Sequence, residues 1–96
     1  MADAPQDGAP VALVTGASRG IGAAIADALA AAGWRVAGTA TSEAGARAID
    51  ERLGAQGRGF VLDVSDDASV EAGLAAVTEA LGAPEVLVNN AGITRD

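Results

Sequence analysis

The residues best suited to chemistry lie in one short stretch, Thr15-Gly16-Ala17-Ser18-Arg19-Gly20-Ile21-Gly22. Its glycines fall as G-x-x-x-G-x-G, behind a short apolar run and ahead of a helical pattern. Each has its own physical reason. Gly16 lets the chain leave a strand in a tight turn. Gly20 keeps side-chain bulk away from the point where backbone approaches a pyrophosphate, and Gly22 lets the new helix pack closely on a sheet. The free N–H groups of that helix start, carrying roughly half a positive charge, attract phosphate oxygens. An ordinary glycine-rich turn is the competing role. The setting, between a strand and a helix in the first βαβ unit, is what points to a dinucleotide.

Binding of NAD in this manner calls for an Asp or Glu about 20 residues beyond the glycines, to hold the ribose 2′-hydroxyl. Here the matching stretch is Thr39-Ala40-Thr41-Ser42, and Glu43 reads as part of the next helix. Arg19 can face a 2′-phosphate, and Ser18, Thr41 and Ser42 can add hydroxyl donors. This favours NADP(H). The alternatives are a solvated loop charge for Arg19 and a helix cap for the hydroxyls. Asp63, at the end of a third apolar run, can accept from an adenine amino group while Val64 packs on the ring; its alternative is to cap the following helix. Asn90 stands beside the same crevice, and its other role is that of a turn asparagine. Trp34 reads as packing at a strand start.

Alternating strands and helices must position these groups. Residues 11–15 read as a strand buried on both faces. From Gly20, a helix is predicted with Ile21, Ala24, Ile25, Ala28, Leu29 and Ala32 inside and Asp27 outside, stopped by Gly33. Residues 34–40 read as a second strand. Ser42 caps a second helix that buries Ala46, Ile49 and Leu53 and closes at Gly54. Residues 59–62 read as a third strand. Ser65 or Asp66 caps a third helix whose buried stripe is Val70, Leu74, Val77 and Leu81, ended by Gly82 and Pro84. Residues 85–89 read as a fourth strand. The expected class is α/β: the N-terminal half of a doubly wound Rossmann fold, β-α-β-α-β-α-β, with parallel strands in the order 3-2-1-4. A flexible leader is expected over residues 1–10 and an NADP(H)-binding half-domain over residues 11–96.

Composition agrees with one small domain. Half of the 96 residues are apolar but only 2% are aromatic, so the core must be aliphatic. A net charge of -7, with six scattered arginines as the only cations, argues against nucleic acid as a partner. With no Cys or His, a disulfide and a thiolate or imidazole metal site are ruled out. No apolar run approaches the roughly 20 residues that span a bilayer. The acidic, polar first ten residues do not read as a secretory signal. A cytoplasmic chain is expected, away from membranes.

The run T-G-A-S-R-G-I-G, followed by N-N-A-G-I-T-R-D over residues 89–96, resembles the short-chain dehydrogenase/reductase family along nearly all of residues 11–96. G-T-A-T-S-E over 38–43 and I-T-R-D over 93–96 resemble the bacterial branch that reduces a β-ketoacyl thioester on acyl carrier protein with NADPH, in fatty-acid biosynthesis. The resemblance implies a phosphate cradle of Gly16, Ala17, Ser18, Arg19, Gly20, Ile21 and Gly22. It implies that Ser18, Arg19 and Thr41 hold the 2′-phosphate, that Asp63 and Val64 meet the adenine, and that Asn90, Ala91 and Gly92 line the ribose and nicotinamide side. A homotetramer is implied for the full-length parent. Family members run to about 250 residues in one domain, and their catalytic Ser, Tyr-x-x-x-Lys pair and helix asparagine lie beyond Asn-Ala-Gly. This chain has neither Tyr nor Lys. It is therefore expected to be inactive alone and reads as an N-terminal fragment. Two other functions stay open: an acetoacetyl-CoA reductase of the same family, and a non-catalytic NADP(H)-binding or interaction module.

Overall fold

In a computed structural model, residues 9–90 are described. Alternating β- and helix-period segments fold into β1 (Val11–Val14), α1 (Gly20–Ala31), β2 (Arg35–Ala40), α2 (Glu43–Leu53), β3 (Gly57–Val61), α3 (Asp67–Ala80) and β4 (Val86–Val88), with one 3₁₀ turn at Gly54–Gln56. The four strands form one parallel sheet in the order β3-β2-β1-β4, the order expected of the N-terminal half of a Rossmann fold. Right-handed crossovers require this layering. The chain steps from β1 through β2 to β3 in one direction, so α1 and α2 share a face. It then returns past β1 to β4, so α3 takes the other face. One core joins Val14, Val36, Ala26, Ile49 and Leu53 under α1 and α2, with Trp34 packed at its edge. The second joins Val11, Leu13, Ala37 and Val77 under α3. β1 is therefore covered on both sides, which is why its four residues are all apolar and buried.

Helix ends follow local chemistry. Ser42 Oγ accepts from Gly45 N–H at 3.0 Å and starts α2, while Asp66 Oδ1 accepts from Ala68 N–H at 3.0 Å and starts α3. Gly54, with φ +58°, closes α2. Of the expected leader, residues 1–8 lie outside the described part. Pro10 O accepts the Arg35 N–H at 2.9 Å, and Ala9 O accepts from the Arg35 guanidinium at 2.8 Å.

Two helices seat on the sheet differently from expectation. In α1 the buried residues are Gly22, Ala23 and Ala26; Ala24, Ala28 and Ala32 face solvent, and Ile21 is 68% exposed. The helix turns its smallest side chains to the sheet because that allows the closest approach, while Ile25 and Leu29 of the expected stripe pack half-buried against the same core. In α3, Val77 is buried as expected, but Leu74 is 38% exposed and Gly73 takes its place on the sheet. A Cβ at Gly73 would stand 2.6 Å from Leu62 Cδ1. At the strands, β3 begins two residues earlier than expected and β4 holds only three residues. No helix among the described residues is long and apolar enough to cross a membrane.

Candidate cofactor-binding cleft

The strand order reverses between β1 and β4, and a crevice opens there at the C-terminal strand ends, where open α/β sheets bind ligands. The chain is tied tightly at this point. Thr15 N–H donates to Val88 O at 3.0 Å and Thr15 Oγ1 donates to Asn89 Oδ1 at 3.2 Å, joining the tips of β1 and β4. Gly16, at φ +65°, then turns the chain away. Ala17 N–H donates to Thr39 O at 2.9 Å, which binds the loop to β2. Asn90 Nδ2 donates to Gly16 O at 3.1 Å from the far side of the sheet order. Gly22 closes the arrangement: a Cβ there would fall 2.0 Å from Gly16 O and 2.7 Å from Asn90 Nδ2. Only a glycine lets α1 start against the loop carbonyl.

The loop and strand tips enclose a cleft of about 500 Å³. Gly16, Ser18, Arg19, Gly20 and Ile21 line it from the β1–α1 loop, Thr41 from the tip of β2, Asp63 and Val64 from beyond β3, and Asn90 from beyond β4. Nine of the thirteen expected site residues thus meet in one place. Two others lie underneath. Ala17 is 1% exposed, with its side chain in the core beneath α1 and α2, and Gly22 packs against Gly16. Ala91 and Gly92 fall outside the described residues. Ala40, Leu62 and Ser65 also line the cleft without having been expected there. The spacing Asp63-x-Ser65 after a strand carried a signal for the last of these, since an Asx turn uses that pattern.

The electrostatics are simple. Arg19 is the one cation and Asp63 the one anion among the lining residues. α1 begins at Arg19, whose backbone is extended, and no side chain caps it, whereas Ser42 and Asp66 cap the other two helices. Among the described residues, the N–H groups and positive dipole end of α1 at Gly20 and Ile21 thus border the cleft without a capping side chain, a setting that suits an anion. Gly20, at φ +65°, has no atom within 4 Å of where a Cβ would be, so its open side is cleft rather than protein. Asp63 Oδ1 accepts from Ser65 Oγ at 2.7 Å and from Ser65 N–H at 3.0 Å. These bonds, the hydroxyl's first and then the backbone's, hold its carboxyl below the usual carboxylate range, against a smaller opposing effect of desolvation. The group stays ionised at neutral pH. With Oδ1 committed to the turn, Oδ2 is the oxygen left to a ligand's donor.

A glycine loop closed where Gly22 admits no Cβ, an uncapped helix start, one guanidinium and one ionised carboxylate fit a phosphate-bearing dinucleotide. The comparisons agree with that architecture. The family model described as short chain dehydrogenase matches residues 10–96. The chain is 60% identical over 86 residues to the 3-oxoacyl-[acyl-carrier-protein] reductase FabG of Escherichia coli (strain K12), covering 90% of this chain and 35% of that protein. It is 59% identical over 86 residues to the protein of the same name from Vibrio harveyi, with the same coverage. To that of Pseudomonas aeruginosa it is 60% identical over 89 residues, covering 90% of this chain and 36% of the relative. The chain therefore spans about a third of the length of the curated relatives it matches. With the sheet order, the glycine cradle and a family match over nearly all of its residues in agreement, the chain belongs to the short-chain dehydrogenase family of oxidoreductases.

Proposed function

We propose that the chain is the cofactor-binding portion of an NADPH-dependent 3-oxoacyl-[acyl-carrier-protein] reductase, an enzyme that turns a β-ketoacyl thioester into a 3-hydroxyacyl thioester. The observation that carries the cofactor choice is the lining of the cleft at the tip of β2. Ala40 and Thr41 stand there, with no carboxylate, while Arg19 lines the same cleft from the glycine loop. Glu43 belongs to the first turn of α2 and is exposed. A 2′-phosphate needs positive charge and donors at this point, whereas a 2′-hydroxyl needs an acceptor. The names of the relatives support the carrier-protein substrate.

In this reading Gly16, Ser18, Gly20 and Ile21, with the start of α1, hold the pyrophosphate, while Gly22 and Ala17 support the loop from below. Ser18, Arg19 and Thr41 take the 2′-phosphate. Asp63 accepts from the adenine amino group and Val64 covers the ring. Asn90, with Ala91 and Gly92, borders the ribose and nicotinamide. Bound NADPH supplies a hydride. The residues of this chain bind and orient; with no tyrosine and no lysine in the sequence, none of them forms the phenol–ammonium pair of proton donor and helper for the substrate oxygen. Acyl carrier protein as the substrate's carrier and a homotetramer as the assembly of the complete reductase belong to the same proposal.

Calorimetric titration of the chain with NADPH and NADH tests this reading. The expected result is tighter binding of NADPH, with no NADPH-dependent reduction of an acetoacetyl thioester by the chain alone. Equal affinity for the two cofactors sinks the cofactor choice. Turnover above a buffer blank sinks the division of labour.

A further inference from the structure

Gly45 sits in the first turn of α2, and its φ is not left-handed. Its conformation does not call for glycine, and after proline glycine is the weakest helix former. Space is what calls for it. A Cβ at Gly45 would stand 2.7 Å from Ala40 Cβ, 3.3 Å from Ser42 Oγ and 3.7 Å from Ser18 Cβ. The Ala40 methyl is fixed on the buried end of β2 and has no rotamer by which to turn away. Ser42 Oγ is the cap of α2 and accepts from the N–H of Gly45 itself. Ser18 belongs to the glycine loop and, with Ala40 and Thr41, lines the cleft. The loop, the tip of β2 and the start of α2 therefore converge on the place where Gly45 has no side chain.

We propose that Gly45 is a positioning residue for cofactor specificity, holding the start of α2 against the glycine loop so that one 2′-phosphate can reach Ser18, Arg19 and Thr41 together. The inference rests on the NADPH reading above. Gly45 does not line the cleft; it acts through Thr41 and Ser42, which lead into its helix. An added methyl must push the helix start away from β2. That widens the gap between Thr41 and the loop, while the turn at Asp63 and the pyrophosphate end of the cleft stay where they are.

The test uses the whole 96-residue chain, the variant Gly45→Ala, and the double variant Ala40→Gly/Gly45→Ala, which removes the methyl at 2.7 Å. Dissociation constants are measured for NADPH and NADH, and for 2′,5′-ADP and 5′-AMP as their adenosine halves. Amide spectra report whether each variant folds. Gly45→Ala is expected to weaken NADPH and 2′,5′-ADP roughly tenfold, the loss of one hydrogen bond to a charged group, and NADH and 5′-AMP by less than about twofold. The double variant is expected to recover the parent's ratio of affinities. The inference is overturned if Gly45→Ala keeps the parent's ratio, if it weakens all four ligands alike, or if the double variant does not recover the ratio. Should Gly45→Ala not fold, the double variant decides: a folded chain with the parent's preference supports the inference, and any other result overturns it. A parent chain that binds NADPH and NADH equally overturns the NADPH reading first, and the inference with it.

Discussion

Arg19 is exposed beside an uncapped helix start, and Thr41 stands on the strand tip across the same cleft. A hydrogen bond to a charged group contributes about 1.5–3 kcal/mol, so Arg19→Ala should weaken NADPH binding roughly 10- to 100-fold and leave NADH nearly unchanged. Thr41→Asp should go further, repelling the 2′-phosphate while offering an acceptor to the NADH ribose. Titration with both cofactors separates these effects from general loosening, which lowers both affinities by the same factor and would make Arg19 a structural residue. Asp63 yields a second test, in pH. Its lowered pKa means that its contribution to stability is present above the unfolded carboxylate value of about 3.9 and is lost as pH falls through the lower folded value. Ser65→Ala removes the hydroxyl bond, the larger cause of the shift. The Asp63 midpoint should then move up towards the ordinary value in a carboxyl-carbon NMR titration. A midpoint that does not move would assign the shift to the backbone alone.

At the scale of the element, the start of α1 is seated by contact as well as by hydrophobic pattern. The contact at Gly22 is with backbone oxygen, which no side-chain rotation can relieve, so Gly22→Ala must displace the helix or the loop. Overpacking of this kind costs about 3 kcal/mol or more at the upper end of its range. Gly20→Ala meets no atom and carries only the left-handed φ, a cost of roughly 1–2 kcal/mol. Urea midpoints should therefore fall further for Gly22→Ala than for Gly20→Ala. The reverse order would mean that α1 shifts cheaply and that the cradle is not set by Gly22. Much of the element scale was legible beforehand. Ser42 and Asp66 are short polar side chains directly ahead of helical patterns, and both cap as such residues do, through bonds within three positions of themselves. The role of Asn90 in seating α1 was not legible, because Asn90 reaches Gly22 only once β4 has paired with β1.

At the scale of the whole molecule, the sheet formed by the described residues has two edges, β3 and β4. On β4, Val86 is 38% and Leu87 61% exposed, and beside them a cavity of about 240 Å³ is lined by Leu13, Leu62, Val70, Leu74 and Leu87 among others. An exposed apolar edge pairs with other chains, while a net charge of -7 holds copies apart. The chain is expected to self-associate as its concentration rises, more readily when salt screens the repulsion. Leu87→Lys should suppress this by placing a charge on the edge. Sedimentation velocity over a range of protein and salt concentrations measures both effects. A chain that stays monomeric throughout, at high salt as well as low, would show that β4 is adequately protected.

Local interactions and period decided a great deal before any folding. Strand and helix periods, short links and right-handed crossovers imply a parallel sheet, and the glycine spacing after β1 marks where its cradle lies and points to the Rossmann order 3-2-1-4. Tertiary structure decided which sides of the helices are buried and which cleft residues meet. Six of the twelve residues of α1 are alanine, nearly neutral between core and water, so hydrophobicity fixes its face only loosely, with Ile25 and Leu29 half-buried against the core and Ile21 exposed. The choice falls to close packing, and close packing depends on partners more than seventy positions away in the chain, such as Asn90 on Gly16. For the same reason Ala17, read along the chain, is one more loop residue, and its burial in the core together with the bond from its N–H to Thr39 O places it beneath the cleft rather than in its lining.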